Sequence, residues 1–251
     1  MLPPFLMLAY SGKDINLSSY NQMENFVNPA QISDSRNWDA WIGTDEAGKG
    51  DYFGPLAAAG VHVNAERCEQ LRALGVCDSK RITDQKLRKL AQEIRMRYGR
   101  YVSSVEITPL RYNALYTSFR EKGQNLNHLL AWLHAKAIQN LLNRFDCRYV
   151  LVDRFAKPEV LAAQLQKFRL KIELVQIPKA ESDIAVAAAS IIARDAFLQC
   201  LEQLSEKYQM KLPKGATHVI AEGRRVVELH GTEALHHVAK LHFRTTGDIL
   251  T

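Results

Sequence analysis

Asp45 and Glu46 stand side by side in this chain, and glycines follow them at 48, 50 and 54. Adjacent carboxylates withdrawn from water repel each other and lose hydration, so they require a cation or a shared proton. Glycines let a backbone pass close to a bulky group such as a sugar-phosphate. Two more acidic spots lie downstream. Asp153 closes the β-rich run Arg148-Tyr149-Val150-Leu151-Val152-Asp153, and Glu181 and Asp183 precede ten uncharged residues, 184–193. Four carboxylates on one surface are what two divalent cations ~3.5–4 Å apart need for in-line phosphoryl displacement. One ion would acidify the attacking water and the other would stabilise the leaving oxygen. Oxygen donors suit hard ions, Mg2+ or Mn2+. The fourth carboxylate is Glu181 or Asp183, and either is also explained as an acid favoured at a helix start by the macrodipole.

The glycine-rich stretch admits other readings. Gly43-xxxx-Gly48-Lys49 matches most of a phosphate-binding P-loop of a nucleotide-binding protein, but Gly50 stands where Ser or Thr must ligate magnesium. Asp45 and Glu46 would also place two negative charges against the phosphates. The dinucleotide-binding spacing fails too, because Gly54 falls one residue late. A glycine-rich hairpin with solvated acids is the bland alternative. The third reading is a metal–carboxylate site facing a nucleic-acid backbone.

The elements that must carry these residues follow from periodicity. Residues 40–42 and 56–63 are short apolar runs suited to strands flanking the acidic loop. Thr83 is a suitable N-cap for a helix with Leu87, Leu90, Ala91 and Ile94 at helical spacing and Lys86, Arg88, Lys89, Arg95 and Arg97 outside. Residues 101–107 alternate as a strand. Residues 127–145 form the clearest amphipathic helix, in which His134 reads as a packed or surface side chain rather than a ligand. Residues 148–153 and 170–177 add strands, and 184–193 suit a helix buried against a sheet. Ligand sites in α/β sheets gather at strand ends, where Asp45, Glu46 and Asp153 fall. The order of elements predicts an α/β domain with a mixed sheet.

Composition narrows the class. The 251 residues are 47% hydrophobic and 24% charged, as in an ordinary globular protein, with a net charge of +6 that suits a polyanionic partner. Residues 207–251 hold seven Lys or Arg against four Asp or Glu and five of the eight histidines, which predicts a basic surface. The four cysteines form no CxxC pair, so free thiols in a reducing cytoplasm are expected. No run approaches the ~18 apolar residues of a membrane span, and a monomer without membrane association is expected. Residues 1–38 are expected to be an N-terminal extension that packs on the main domain or is partly disordered, ahead of a domain over 39–251.

At this point the chain resembles the type 2 ribonucleases H, which comprise ribonucleases HII and HIII. The resemblance rests on the stretch 43–55, Asp78-Ser79-Lys80, Asp153, Lys179-Ala180-Glu181-Ser182 leading into 186–194, Leu212-Pro213-Lys214-Gly215-Ala216 and Ala239-Lys240-Leu241-His242-Phe243-Arg244-Thr245-Thr246. Asp51-Tyr52-Phe53-Gly54-Pro55, the Glu at 181 and the C-terminal block look most like ribonuclease HIII; ribonuclease HII has Asp at the fourth position. The resemblance implies an RNase H-like fold, with a five-stranded mixed sheet flanked by helices and a C-terminal helical extension. It implies hydrolysis of the RNA strand of RNA–DNA hybrids, leaving 5′-phosphate and 3′-hydroxyl ends. Asp45, Glu46, Asp153 and Glu181 would be the catalytic and metal-binding set, with Asp183 the lesser candidate. Gly48, Lys49 and Gly50 would contact ribose 2′-hydroxyls, and Ser79 and Lys80 a phosphate. Ribonucleases HIII typically carry an N-terminal substrate-gripping domain for which 38 residues are too few, so weaker substrate binding, or compensation by the basic C-terminal surface, is expected. Nicking beside single ribonucleotides embedded in duplex DNA is the same-fold alternative.

Overall fold

The structure is a computed structural model that describes residues 38–251, so the expected N-terminal extension lies outside the described residues except for Trp38. Its centre is a five-stranded sheet in the order β3-β2-β1-β4-β5. The strands are β1 (Ala40–Ala47), β2 (Leu56–Asn64), β3 (Val102–Ile107), β4 (Tyr149–Asp153) and β5 (Glu173–Ile177). β1 pairs antiparallel with β2 and parallel with β4, β2–β3 is antiparallel and β4–β5 is parallel. The expected mixed sheet of an RNase H-like fold is therefore present. β1 runs further than its apolar start predicts. Backbone pairing with both neighbours carries it through Thr44, and pairing with β2 carries it through Asp45 and Glu46 to Ala47. Residues 43–47 are thus strand, not the phosphate-cradling loop of a nucleotide-binding protein.

Nine helices among the described residues cover the sheet. They are α1 (Ala65–Ala73), α2 (Asp84–Tyr98), α3 (Pro109–Glu121), α4 (Leu126–Leu142), α5 (Pro158–Lys167), α6 (Ile184–Lys207), α7 (Ile220–His230), α8 (Ala234–Val238) and α9 (Thr245–Leu250). α6 and α2 lie on one face, α4 with α3 and α5 on the other. With helices on both faces, β2 is buried from Leu56 to Val63, which is why it reads as an unbroken apolar run rather than an alternating one. Thr83 caps α2, accepting a hydrogen bond from Lys86 N at 3.3 Å, and Leu87, Leu90, Ala91 and Ile94 form its buried face.

α6 differs from expectation in two ways. It continues from the uncharged run to Lys207, because Arg194 and Asp195, which would otherwise break a buried helix, are paired with Asp84 and Arg95. It also has the length and mean hydropathy, 1.6, of a membrane span, which corrects the expectation that no run comes near one; 83% of that window is buried against the sheet and α2. Gly43 makes the close approach possible. A Cβ there would lie 2.4 Å from Val186 N and 2.6 Å from Ala185 Cβ, so the first turn of α6 rests directly on the β1 backbone.

At the opposite end of the sheet from the acids, His62 is buried and stacked on Phe145, ring centroids 4.5 Å apart, with Arg67 Nη2 donating to its Nδ1 at 3.4 Å. Burial, then the Arg67 charge, pushes its pKa down to about 4. Between about pH 6.5 and 4 the unfolded chain takes up a proton that the folded chain refuses, so stability is lost as pH falls through that window.

Gly43→Ala is expected to lower the urea midpoint by the equivalent of ~3 kcal/mol or more, as overpacking against backbone does; an unchanged midpoint would refute this packing. His62→Phe, which preserves the ring stack, is expected to flatten the fall of melting temperature between about pH 6.5 and 4. Thermal melts across that range check it, and an unaltered pH dependence would exclude His62 as its source.

Candidate active site

Strand alternation sends the two adjacent acids to opposite faces of the sheet. Asp45 shares the α6 face with Gly43. Its Oδ1 accepts Glu46 N at 2.8 Å, and it is hydrogen-bonded to Ser190 of α6, whose Oγ is 2.9 Å from Ser79 Oγ. Glu46 shares the α4 face with Thr44. Its Oε2 is 3.1 Å from Nε2 of the fully buried His134, and its Oε1 is 3.9 Å from Lys49 Nζ.

Asp153 ends β4 beside them, and its Oδ1 accepts Ala180 N at 3.1 Å. That bond ties the strand end to the 3-10 turn Ala180–Ser182, which carries Glu181. Lys179, left-handed at φ 58°, turns the chain into it. Lys80 Nζ donates to Glu181 Oε1 at 2.7 Å, while Glu181 Oε2 is buried without a hydrogen-bond partner among the described residues. Asp183 is placed differently. It is 2% exposed, it is the N-cap of α6, and its Oδ1 accepts Ala185 N at 2.9 Å, Val186 N at 3.3 Å and Trp41 Nε1 at 3.1 Å.

The electrostatics follow from crowding. Burial, then the Glu46 charge, pushes Asp45 up to about 8, against the opposing Ser190 and Glu46 N–H bonds. Burial also raises Asp153; Ala180 N opposes this, and the charges of Glu181 and Glu46 add to it. Burial pushes Glu181 upward as well, but the Lys80 hydrogen bond and charge with its own backbone N–H outweigh it, and its pKa is lowered. Asp45, Glu46, Asp51 and Asp153 line one cleft of about 370 Å3 that Lys80, Arg194 and Lys214 also border. Two observations fit hard cations here: a buried carboxylate oxygen left without a partner, and an aspartate that burial beside another acid drives toward neutrality. Among the described residues no group of three or more His, Cys, Asp or Glu side chains is placed to hold a metal ion as the side chains stand. Magnesium does not need a full set of protein ligands, because it keeps several waters and binds through one or two carboxylates plus phosphate oxygens.

The residues expected to face substrate are distributed around this cleft. Gly48 is required by the fold, since at φ +87° a Cβ would meet Pro55 O at 2.2 Å. Gly50 is exposed, and a Cβ there would meet nothing within 4 Å, so the fold itself does not demand glycine. Lys49 Nζ donates to Phe155 O at 3.4 Å, joining the loop after β1 to the loop after β4. Ser79 is buried with its carbonyl accepting Arg194 Nη1 at 2.5 Å, whereas Lys80 reaches into solvent.

The C-terminal part holds the glycine loop. Lys240, fully buried, donates to the carbonyls of Phe53, Gly54 and Pro55 at 3.3, 2.7 and 3.2 Å, and burial lowers its pKa to about 7. Gly215 N donates to Asp51 Oδ1 at 2.6 Å, and Tyr52 N donates to Gly215 O at 2.8 Å. Sequence reasoning missed Ser190, Arg194, Lys240 and the Glu46 contact of His134. His134 carried a faint signal, a histidine on the apolar face of α4; Lys240 stands within the C-terminal block 239–246 of the resemblance, which gave it no role.

Comparison with known proteins shows what the chain as a whole is similar to. The family model for ribonuclease HII matches residues 42–246. Ribonuclease HIII of Protochlamydia amoebophila is 45% identical over 210 residues, covering 83% of this chain and 68% of that protein. Ribonuclease HIII of Chlamydia pneumoniae is 46% identical over 213 residues, covering 83% and 69%. Among solved structures, Bst-RNase HIII in complex with Mn2+ superposes with a TM-score of 0.79 at 30% identity, covering 95% of this chain and 81% of that one.

Asp183→Ala is expected to cost ~1–2 kcal/mol of stability through loss of the α6 cap, and Asp183→Asn, which retains an acceptor, less. Urea denaturation reads both, and an unchanged midpoint for the alanine variant would remove Asp183 from the capping role.

Proposed function

As the chain belongs to the type 2 ribonuclease H family, we infer that it is an endoribonuclease that hydrolyses the RNA strand of RNA–DNA hybrids at the Asp45–Glu46–Asp153–Glu181 cleft. The observation that carries the reading is the set of carboxylates from β1, the end of β4 and the turn before α6. Three line one cleft, and the fourth acts on Asp153 and is tied to the wall by Lys80. These four side chains would hold Mg2+ or Mn2+, two ions which when bound activate a water and stabilise the leaving oxygen, giving 5′-phosphate and 3′-hydroxyl ends.

The rest of the site has work of its own. Asp45 is held by Glu46 N and Ser190, and Asp153 by Ala180 N, which limits how far either carboxylate moves when a cation binds. Lys80, Arg194 and Lys214 give the cleft the positive rim that a phosphate backbone needs. Lys80 stands between Glu181 and solvent, in reach of a phosphate oxygen, with Ser79 behind it. Gly48, Lys49 and Gly50 present backbone to a ribose, and the open space at Gly50 admits a sugar where any side chain would intrude. Glu181 is the fourth ligand in this reading because Asp183 already serves α6 and Trp41, while Glu181 Oε2 is unpartnered among the described residues.

Purified protein with a labelled RNA–DNA hybrid and Mg2+ or Mn2+ tests the mechanism. Wild type is expected to cut the RNA strand, with Asp45→Asn and Glu181→Gln slower by ~100-fold or more, a barrier increase of several kcal/mol. Asp183→Asn is expected to retain most activity. Full activity in either of the first two variants would overturn the assignment. A duplex holding four consecutive ribonucleotides is expected to be cut faster than one holding a single ribonucleotide; the reverse order would favour ribonuclease HII-like nicking.

A further inference from the structure

His134 lies in the middle of α4, 0% exposed, with both ring nitrogens engaged by β1. Its Nδ1 is 2.9 Å from Thr44 Oγ1 and its Nε2 is 3.1 Å from Glu46 Oε2. Thr44 and Glu46 are two apart on one strand and so project from the same face. The ring also stacks on Phe155, centroids 4.7 Å apart at 15°, and the Phe155 carbonyl accepts Lys49 Nζ. One imidazole thus touches β1, the loop after β4 and, through Phe155, the loop after β1.

The chemistry of the partners gives the hydrogen bonds a direction. A carboxylate only accepts, so Nε2 carries the proton and donates to Glu46 Oε2. Nδ1 of the neutral ring is then an acceptor, and the Thr44 hydroxyl donates to it. A hydroxyl fixes the tautomer, the tautomer fixes one carboxylate oxygen, and Oε1, 3.9 Å from Lys49 Nζ, is the oxygen the ring does not take. A histidine needed only for packing would be satisfied by any polar group in the core. This one is spent on the one acid of the cleft that faces away from α6.

We propose that His134 is a positioning residue for catalysis: through Nε2–H it holds Glu46 so that Oε1 alone receives the divalent cation, with Thr44 setting the tautomer. This role rests on the four-carboxylate reading of the cleft. Outer partners that orient a ligating carboxylate are worth ~10–100-fold in metal affinity.

The test is calorimetric titration of Mn2+ into cation-free protein, beside kcat and KM for hybrid cleavage and a thermal melt. His134→Phe keeps the stack on Phe155 and loses the donor. It is expected to weaken Mn2+ binding ~10–100-fold and to lower kcat with KM unchanged. His134→Gln places an amide N–H near the reach of Nε2 and is expected to restore most of both. Wild-type Mn2+ affinity and kcat in folded His134→Phe would overturn the proposal, as would failure of Gln to improve on Phe. If the Phe variant does not fold, Thr44→Val, which leaves the ring in place without its hydroxyl, is expected to weaken Mn2+ binding several-fold, and wild-type affinity there overturns the role. Asp45→Asn separates the two levels: Mn2+ binding unchanged in that variant would sink the carboxylate site itself, whereas binding lost there but intact in His134→Phe would sink only the positioning role.

Discussion

The contact between Gly43 and the first turn of α6 is the constraint on which the site depends. Any side chain at 43 would have to occupy space held by Val186 N and Ala185. Without one, the N-terminus of a long buried helix lies on the central strand. Its N-cap Asp183 reaches Trp41, its Ser190 reaches Asp45, and the turn before it brings Glu181 within influence of Asp153. Interiors pack too tightly to accommodate a shift of even one methyl group cheaply, so this approach fixes the site more firmly than any single hydrogen bond in it.

What that packing assembles is an electrostatic debt. Asp45, Glu46 and Asp153 are brought into a cleft that Asp51 also lines, burial raises Asp45 and Asp153 toward the neutral form, and Glu181 has a buried oxygen without a partner among the described residues. The fold compensates piecemeal, with backbone N–H groups at Asp45 and Asp153, an ammonium at Glu181 and an imidazole at Glu46. None of these satisfies the cluster as a whole. In the proposed reading hard divalent cations would, with a nucleic-acid phosphate supplying the remaining oxygens. The loop that would meet the sugar is held by the C-terminal part of the chain, through Lys240 on the carbonyls of Phe53, Gly54 and Pro55 and Gly215 N on Asp51 of the loop itself, while Lys214 from the same part borders the cleft.

How much of this the sequence revealed depends on what kind of signal each residue leaves. Asp45, Glu46 and Asp153 were legible because acids at the ends of apolar strand runs are conspicuous, and α2 and α4 because one face of each is apolar. Glu181 and Asp183 could not be told apart by spacing. Both precede the same apolar run, and only the fold assigns one to the helix cap and leaves an oxygen of the other unpartnered among the described residues. α1 and α3 passed unnoticed because each buries only two residues, though Pro109 after Thr108 is a helix-start pattern. Apolar patterning ends β1 short because Thr44 to Glu46 are polar, and polarity does not end a strand paired on its backbone. It ends α6 short because Arg194 and Asp195 look like solvent-facing charges, and only the fold supplies their partners on α2. His134 reads as a packed or surface side chain, and it is packed. Its second partner is a long-range contact that no local pattern encodes.

Manganese anomalous scattering from crystals grown with Mn2+ tests the central claim most directly. The account predicts two peaks ~4 Å apart among the carboxylates of Asp45, Glu46, Asp153 and Glu181, with Asp183 still capping α6. Peaks elsewhere, or a peak ligated by Asp183 in place of Glu181, would contradict it.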